Sequence, residues 1–185
     1  MKLRVKLAAG VAALGLVGVS AVAVAHDRGM FRTDLTGYEE VPAISTGANG
    51  SFRASLNRDQ DEFSWVLTYT GPFNGDTVAQ AHIHFGQLSV NGGISVFLCT
   101  NLNNGPAGTQ ACPQPEPGKR VVLTGTAKAT DVIGPAAQGI APGEFGELVR
   151  AMRAGATYAN IHTTPQHPGG EIRGQISDDD RGRGH

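Results

Sequence analysis

The residues best equipped for chemistry lie in Ala81-His82-Ile83-His84-Phe85-Gly86, where two imidazoles one residue apart sit in an apolar run. An extended chain sends alternate side chains to opposite faces. His82 and His84 therefore leave one face with Val78 and Gln80, while Ala79, Ala81, Ile83 and Phe85 take the other. Two histidines at i and i+2 on one strand face can reach a single small cation, and neutral imidazole suits zinc or copper. A second run, Tyr158-Ala159-Asn160-Ile161-His162-Thr163, repeats the pattern, with Ala159 and Ile161 on its apolar side and Tyr158, Asn160 and His162 opposite. The segment after it sets Ile172, Gly174 and Ile176 against Glu171, Arg173 and Gln175.

If these strands pair, one polar face turned away from the core gathers His82, His84, His162, Glu171 and Arg173. His167, in the connecting loop, can close over it. The candidate metal ligands are thus His82, His84, His162 and His167, with copper or zinc as the ion. The plainer alternative is a hydrogen-bonded histidine network that holds no ion. Glu171 and Arg173 are expected to form a salt bridge that fixes the hairpin. Asn160 is expected to be a strand-edge hydrogen-bonder.

The elements that position these residues read as short strands. Phe31, Thr33 and Leu35 alternate with polar neighbours; Phe52, Ala54 and Leu56 form a second face; Phe63, Trp65, Leu67 and Tyr69 form a third, joined to the second by the turn at residues 57–61. Trp65 reads as a core anchor. Tyr38-Glu39-Glu40-Val41-Pro42 carries a proline, which removes a ladder donor, so this segment is an edge or a crossing. Residues 77–85, 94–99 and 121–128 complete the middle of the sheet, and residues 157–163 and 171–177 are the last two strands. One helix is expected where Phe145, Leu148, Val149 and Met152 make a stripe at i, i+3, i+4 and i+7, between Pro142 and Gly155. The fold class is therefore all-β: a Greek-key or immunoglobulin-like β-sandwich with one short amphipathic helix before the last two strands.

Compartment follows from the first residues. Lys2, Arg4 and Lys6 precede an uncharged run from Leu7 to Ala25 that ends in Ala23-Val24-Ala25. A basic start, an apolar stretch and a small-x-small site read as a cleaved secretory signal peptide over residues 1–25, with an uncleaved membrane anchor as the alternative. After cleavage no stretch is apolar enough to span a bilayer. Residues 26–177 make one domain by size, and the polar tail 178–185 is expected to be disordered. Cleavage leaves 12 basic against 16 acidic residues, so no basic stripe invites nucleic acid or an anionic membrane. Cys99 and Cys112 suit an exported protein with one disulfide. An extracellular or envelope partner is the expectation.

Several motifs in order resemble the CHRD domain. They are Leu35-Thr36-Gly37-Tyr38-Glu39-Glu40-Val41-Pro42, the His82 run, Asn91-Gly92-Gly93, and Tyr158 to Thr163 leading to Pro168-Gly169-Gly170-Glu171-Ile172-Arg173-Gly174-Gln175-Ile176. The resemblance spans about Phe31 to Ile176. It implies an extracellular or cell-surface β-sandwich module and transfers no enzymatic activity. Growth-factor binding, known for chordin, does not carry over to a lone domain without chordin's cysteine-rich modules.

His82-Ile83-His84-Phe85-Gly86 is also similar to the copper segment of Cu/Zn superoxide dismutase with one spacer residue missing. No histidine lies between Gly86 and His162, so the bridging ligand and zinc loop of that enzyme have no counterpart. The primary expectation is a non-catalytic binding or structural module. A mononuclear copper or zinc protein comes second, and dismutase-like activity third. The sequence carries no nucleophile elbow and no phosphate loop.

Overall fold

The computed structural model describes residues 29–74 and 77–178. The expected signal peptide and the tail beyond Asp178 lie outside them. The strands are β1 (Met30–Thr36), β2 (Asn49–Leu56), β3 (Glu62–Thr70), β4 (Thr77–Phe85), β5 (Gly93–Thr100), β6 (Arg120–Lys128), β7 (Thr157–Thr164), β8 (Ile172–Gln175) and β9 (Ser177–Asp178); the helix α1 is Phe145–Arg153. All pairings are antiparallel. The order is β5-β4-β7-β8-β1-β2-β3-β6, with β9 beside β1. The sheet curls until its end strands nearly meet, and the Gln110 amide donates to Leu98 O on β5 and to Thr124 O, which lies on β6. The result is the expected all-β, sandwich-like fold with one short helix.

The inner face buries Phe31, Leu35, Phe52, Phe63, Leu67, Ile83, Ile161 and Ile172. These residues come from the alternating positions read from the sequence, because a period of two sends one full set of side chains inward. Trp65 anchors this core, as expected. Its ladder partner is Gly125, where a Cβ would lie 2.5 Å from the indole Cζ2, so the glycine makes room for the ring. Helix α1 buries Phe145, Leu148, Val149 and Met152, the whole predicted stripe, and Phe145 stacks on Phe63 at 5.6 Å between ring centroids. Cys99 and Cys112 form the expected disulfide, which ties the loop after β5 back to that strand.

Three local expectations change. The segment after Thr36, expected to be an edge or a crossing, is a 3-10 turn over Gly37–Glu39 followed by a loop, so the edge alternative does not hold. The final strand breaks at Ile176, whose N–H turns to Thr157 O, so β8 and β9 replace one strand and three strands follow the helix. Asp178, expected to open the tail, pairs with Phe31 and is buried.

Candidate metal centre

β4 and β7 lie side by side, with His82 opposite Asn160 and Gln80 opposite His162; β8 continues the row with Arg173 opposite Asn160. Alternation then puts His82, His84, Asn160 and His162 on one face, as the sequence predicts. On β5, Leu98 and Ser95 are skipped where β4 shifts register beside His82 and His84. Such bulges re-aim the side chains of a strand.

The face is polar but not solvated. His82 is 0% exposed, and His84 and His162 are 6%. Loops cover it: the Glu40 segment, the 86–92 turn and the 165–170 turn all contribute contacts. Asn91 Nδ2 binds Val41 O, locking two of these loops together. The sheet here is buried on both sides. Strand alternation reports which face a residue takes, not what lies above that face.

The three rings form one cluster, with one nitrogen from each of His82, His84 and His162 lying within 4.8 Å of the others. Ring contacts join them further: His82 meets His162 at 4.9 Å and His84 at 5.3 Å, centroid to centroid. Phe97 closes against His82 at 4.3 Å. Two of the rings are oriented by backbone carbonyls. His84 Nδ1–H donates to Gly92 O at 3.0 Å, and His162 Nδ1–H donates to Pro168 O at 2.9 Å. A carbonyl only accepts, so both rings carry their proton on Nδ1 and present a bare Nε2. Metal-bound histidines are oriented in this way. His82 Nδ1 lies 3.1 Å from His162 Nε2, and His82 Nε2 and His84 Nε2 are buried without a hydrogen-bond partner.

Burial keeps the cluster neutral. It pushes His82 down to about 2, helped by the neighbouring His162 and His84. It pushes His84 down to about 4 against the raising effect of the Gly92 hydrogen bond, and it lowers His162 as well. A desolvated imidazole loses its charged form, so a metal would meet no competing proton at neutral pH.

His84 is clamped from the side. It stacks on Tyr158 at 4.7 Å and 4° between planes, and the Arg173 guanidinium lies over the same Tyr158 ring at 3.4 Å. Arg173 donates to Asn91 Oδ1, Val90 O and Gln87 O. It therefore fixes the 86–92 turn that supplies the Gly92 carbonyl. The expected Glu171–Arg173 salt bridge does not form. Glu171 turns the other way and accepts from Thr46 Oγ1, Asn74 N and Thr163 Oγ1. His167 also stays outside the cluster, with its Nε2 3.3 Å from Asn74 Nδ2. The structure thus brings three of the four candidate ligands together.

One residue of the site was not among the sequence candidates. Glu40 is buried beside Asn160 and Arg173, and its Oε1 has no hydrogen-bond partner. Burial pushes its carboxyl up to about 7, against the opposing pull of Arg173 and of hydrogen bonds from Val41 and Asn160. The sequence offers Glu40 only as part of the Leu35–Pro42 motif, in a proline-bearing segment that reads as an edge or a crossing. Gly92 and Pro168 lie within the motifs that resemble the CHRD domain, but nothing in their residue types marks their carbonyls as acceptors for the histidines.

No helix among the described residues is long and apolar enough to cross a membrane. Comparison with curated proteins and with solved structures gave no match. The CHRD domain matches residues 31–176, from the first strand through the end of β8 and well over half of the 185 residues. With the two-histidine strand, the Pro168–Ile176 segment and the covering turns all inside that span, this chain belongs to the CHRD domain family.

Proposed function

We propose that this chain is an exported, non-catalytic binding module whose ligand is one copper or zinc ion held by His82, His84 and His162. The observation that carries the reading is the pair of Nδ1–H bonds to Gly92 O and Pro168 O, which leave bare Nε2 atoms on two rings of a buried cluster in which one nitrogen from each of the three histidines lies within 4.8 Å of the others. Adjacent ligand atoms of a tetrahedral site with bonds of about 2.0–2.1 Å stand roughly 3.3–3.4 Å apart. The 3.1 Å separation of His82 Nδ1 and His162 Nε2 is close to that spacing. Export is supported by the basic and apolar leader over residues 1–25 and by the disulfide, which belongs to oxidising compartments.

A second reading has its own support. A proton on His82 Nδ1 makes a direct hydrogen bond to His162 Nε2, and a network of this kind can rigidify a fold without any ion. Elemental analysis of protein recovered after export, with copper and zinc titrations of the chelator-treated protein, separates the two. The metal reading expects one ion per chain and loss of binding in the His82→Ala/His84→Ala/His162→Ala variant. Equal binding by wild type and variant, or none by either, refutes it.

A further inference from the structure

Resting on the metal reading, the proton inventory around His162 points to one more ligand. We infer that Asn160 Oδ1 is the fourth donor, and that the completed set of three imidazoles and one amide oxygen has no open position. His162 donates from Nδ1 to Pro168 O, so the ring presents its Nε2 to the cluster. That Nε2 faces His82 Nδ1 at 3.1 Å and Asn160 Oδ1 at 3.0 Å. A proton from His82 can serve the first contact. Nothing serves the second, since an amide oxygen only accepts. Two lone pairs face each other at hydrogen-bond distance where no solvent reaches, for Asn160 is 2% exposed.

The amide orientation has a cause. Asn160 donates toward Glu40, whose carboxyl it helps to hold down. Glu40 Oε1 and Asn160 Nδ2 crowd the same point over Gly170, where a Cβ would lie 2.4 Å from the first and 2.9 Å from the second. With Nδ2 committed to the carboxylate, the oxygen is turned into the histidine cluster. The same amide lies beside the His84 ring. Asn160 also stands directly opposite His82 in the β4–β7 ladder. It therefore touches or faces all three imidazoles. A cation at the shared point turns repulsion between lone pairs into four metal–ligand bonds. Sites with four protein ligands are closed, whereas catalytic sites keep one position for water or substrate. The donor set therefore marks a site that holds its ion without turnover, and Glu40 is the residue that positions Asn160.

The test uses Co(II), whose visible bands report coordination number, in the chelator-treated mature protein. Wild type is expected to give an intense four-coordinate spectrum that azide does not change. Asn160→Ala is expected to give a weaker spectrum that shifts with azide, with the Co(II) dissociation constant raised ~10–100-fold, the range typical of losing a supporting group at a metal site. Asn160→Asp, which keeps an oxygen, is expected to retain the intense, azide-insensitive spectrum. An Asn160→Ala spectrum and azide response equal to wild type would overturn the fourth-ligand assignment while leaving the three-histidine site standing. An azide shift in wild type would overturn the closed set without any variant. Failure of the folded wild type to bind Co(II), copper or zinc would overturn both readings.

Discussion

Acid should destabilise the metal-free protein, and the structure sets the size of the effect. His82 and His84 have folded-state pKa values of about 2 and about 4 against 6.5 when exposed. Between pH 6.5 and 5 the unfolded chain takes up protons at these sites and the folded chain does not, so stability falls as pH falls. Integrating the linkage over that interval, each ring contributes a loss of about 1.6 kcal/mol. His162 adds in the same direction. Glu40 works against them. Its folded value of about 7 lies above the exposed 4.5, so here the folded state gains protons on acidification and stability rises by about 1.7 kcal/mol over the same interval. The net expectation from these three groups is a loss of about 1.5 kcal/mol, growing to about 3 kcal/mol in Glu40→Gln, where the opposing group is gone. Urea unfolding of chelator-treated protein at the two pH values measures it. With a slope of roughly 2 kcal/mol/M, the wild-type midpoint should drop by roughly 0.7 M and that of Glu40→Gln by about twice as much. A wild-type midpoint that holds or rises on acidification, or a Glu40→Gln variant no steeper than wild type, would show that these groups are not buried as described.

Other outcomes follow from the same structure. Copper or zinc at 100 times its dissociation constant should stabilise the folded chain by about 2.7 kcal/mol, and the triple histidine-to-alanine variant should show no such shift in a thermal melt. Phe145→Ala should cost about 3–5 kcal/mol, because it removes the ring that stacks on Phe63 under the helix; chemical denaturation checks it. Replacing Cys99 and Cys112 by serine should lose about 3 kcal/mol, since the bridge closes a loop with a sequence separation of 13; comparing the urea midpoint of the variant with that of the oxidised wild type reads it. Arg173→Lys should loosen the 86–92 turn by removing the planar fork that reaches Asn91 and Val90 and covers Tyr158. Faster amide exchange at Gly92 and Gly93 is the expected signature.

Much of this site could be read in the sequence because strand periodicity is a local rule. It placed His82 and His84 together, put His162 and Asn160 on the matching face of a later strand, and marked the helix stripe. What it could not carry was the third dimension above the sheet. The covering loops accept the histidine protons through main-chain carbonyls at Gly92 and Pro168, and a carbonyl has no residue-type signature. Glu40 reads only as part of a proline-bearing edge or crossing; its burial comes from its own loop meeting the 165–170 turn beside Asn160 of β7. The Glu171–Arg173 pairing failed for a related reason. Glu171 precedes β8 rather than lying within it, so alternation did not fix the face it takes. His167 was a matter of reach, and its loop leaves it on Asn74.

The sheet order also sets a sequence of events. β1 is made first, yet its second neighbour is built from β8 and β9, with Thr36 beside Arg173 and Phe31 beside Asp178. A chain that emerges from its N-terminus keeps one edge of β1 unpaired until nearly all the described residues have appeared. The histidines are divided in the same way, since His82 and His162 are separated by 80 residues. A partial chain therefore holds at most the His82–His84 pair, without the ring, the amide or the turns that enclose it. On the proposed metal reading, the full ligand set exists only after the last strands have closed the sheet, so tight loading would follow synthesis of nearly all the described residues.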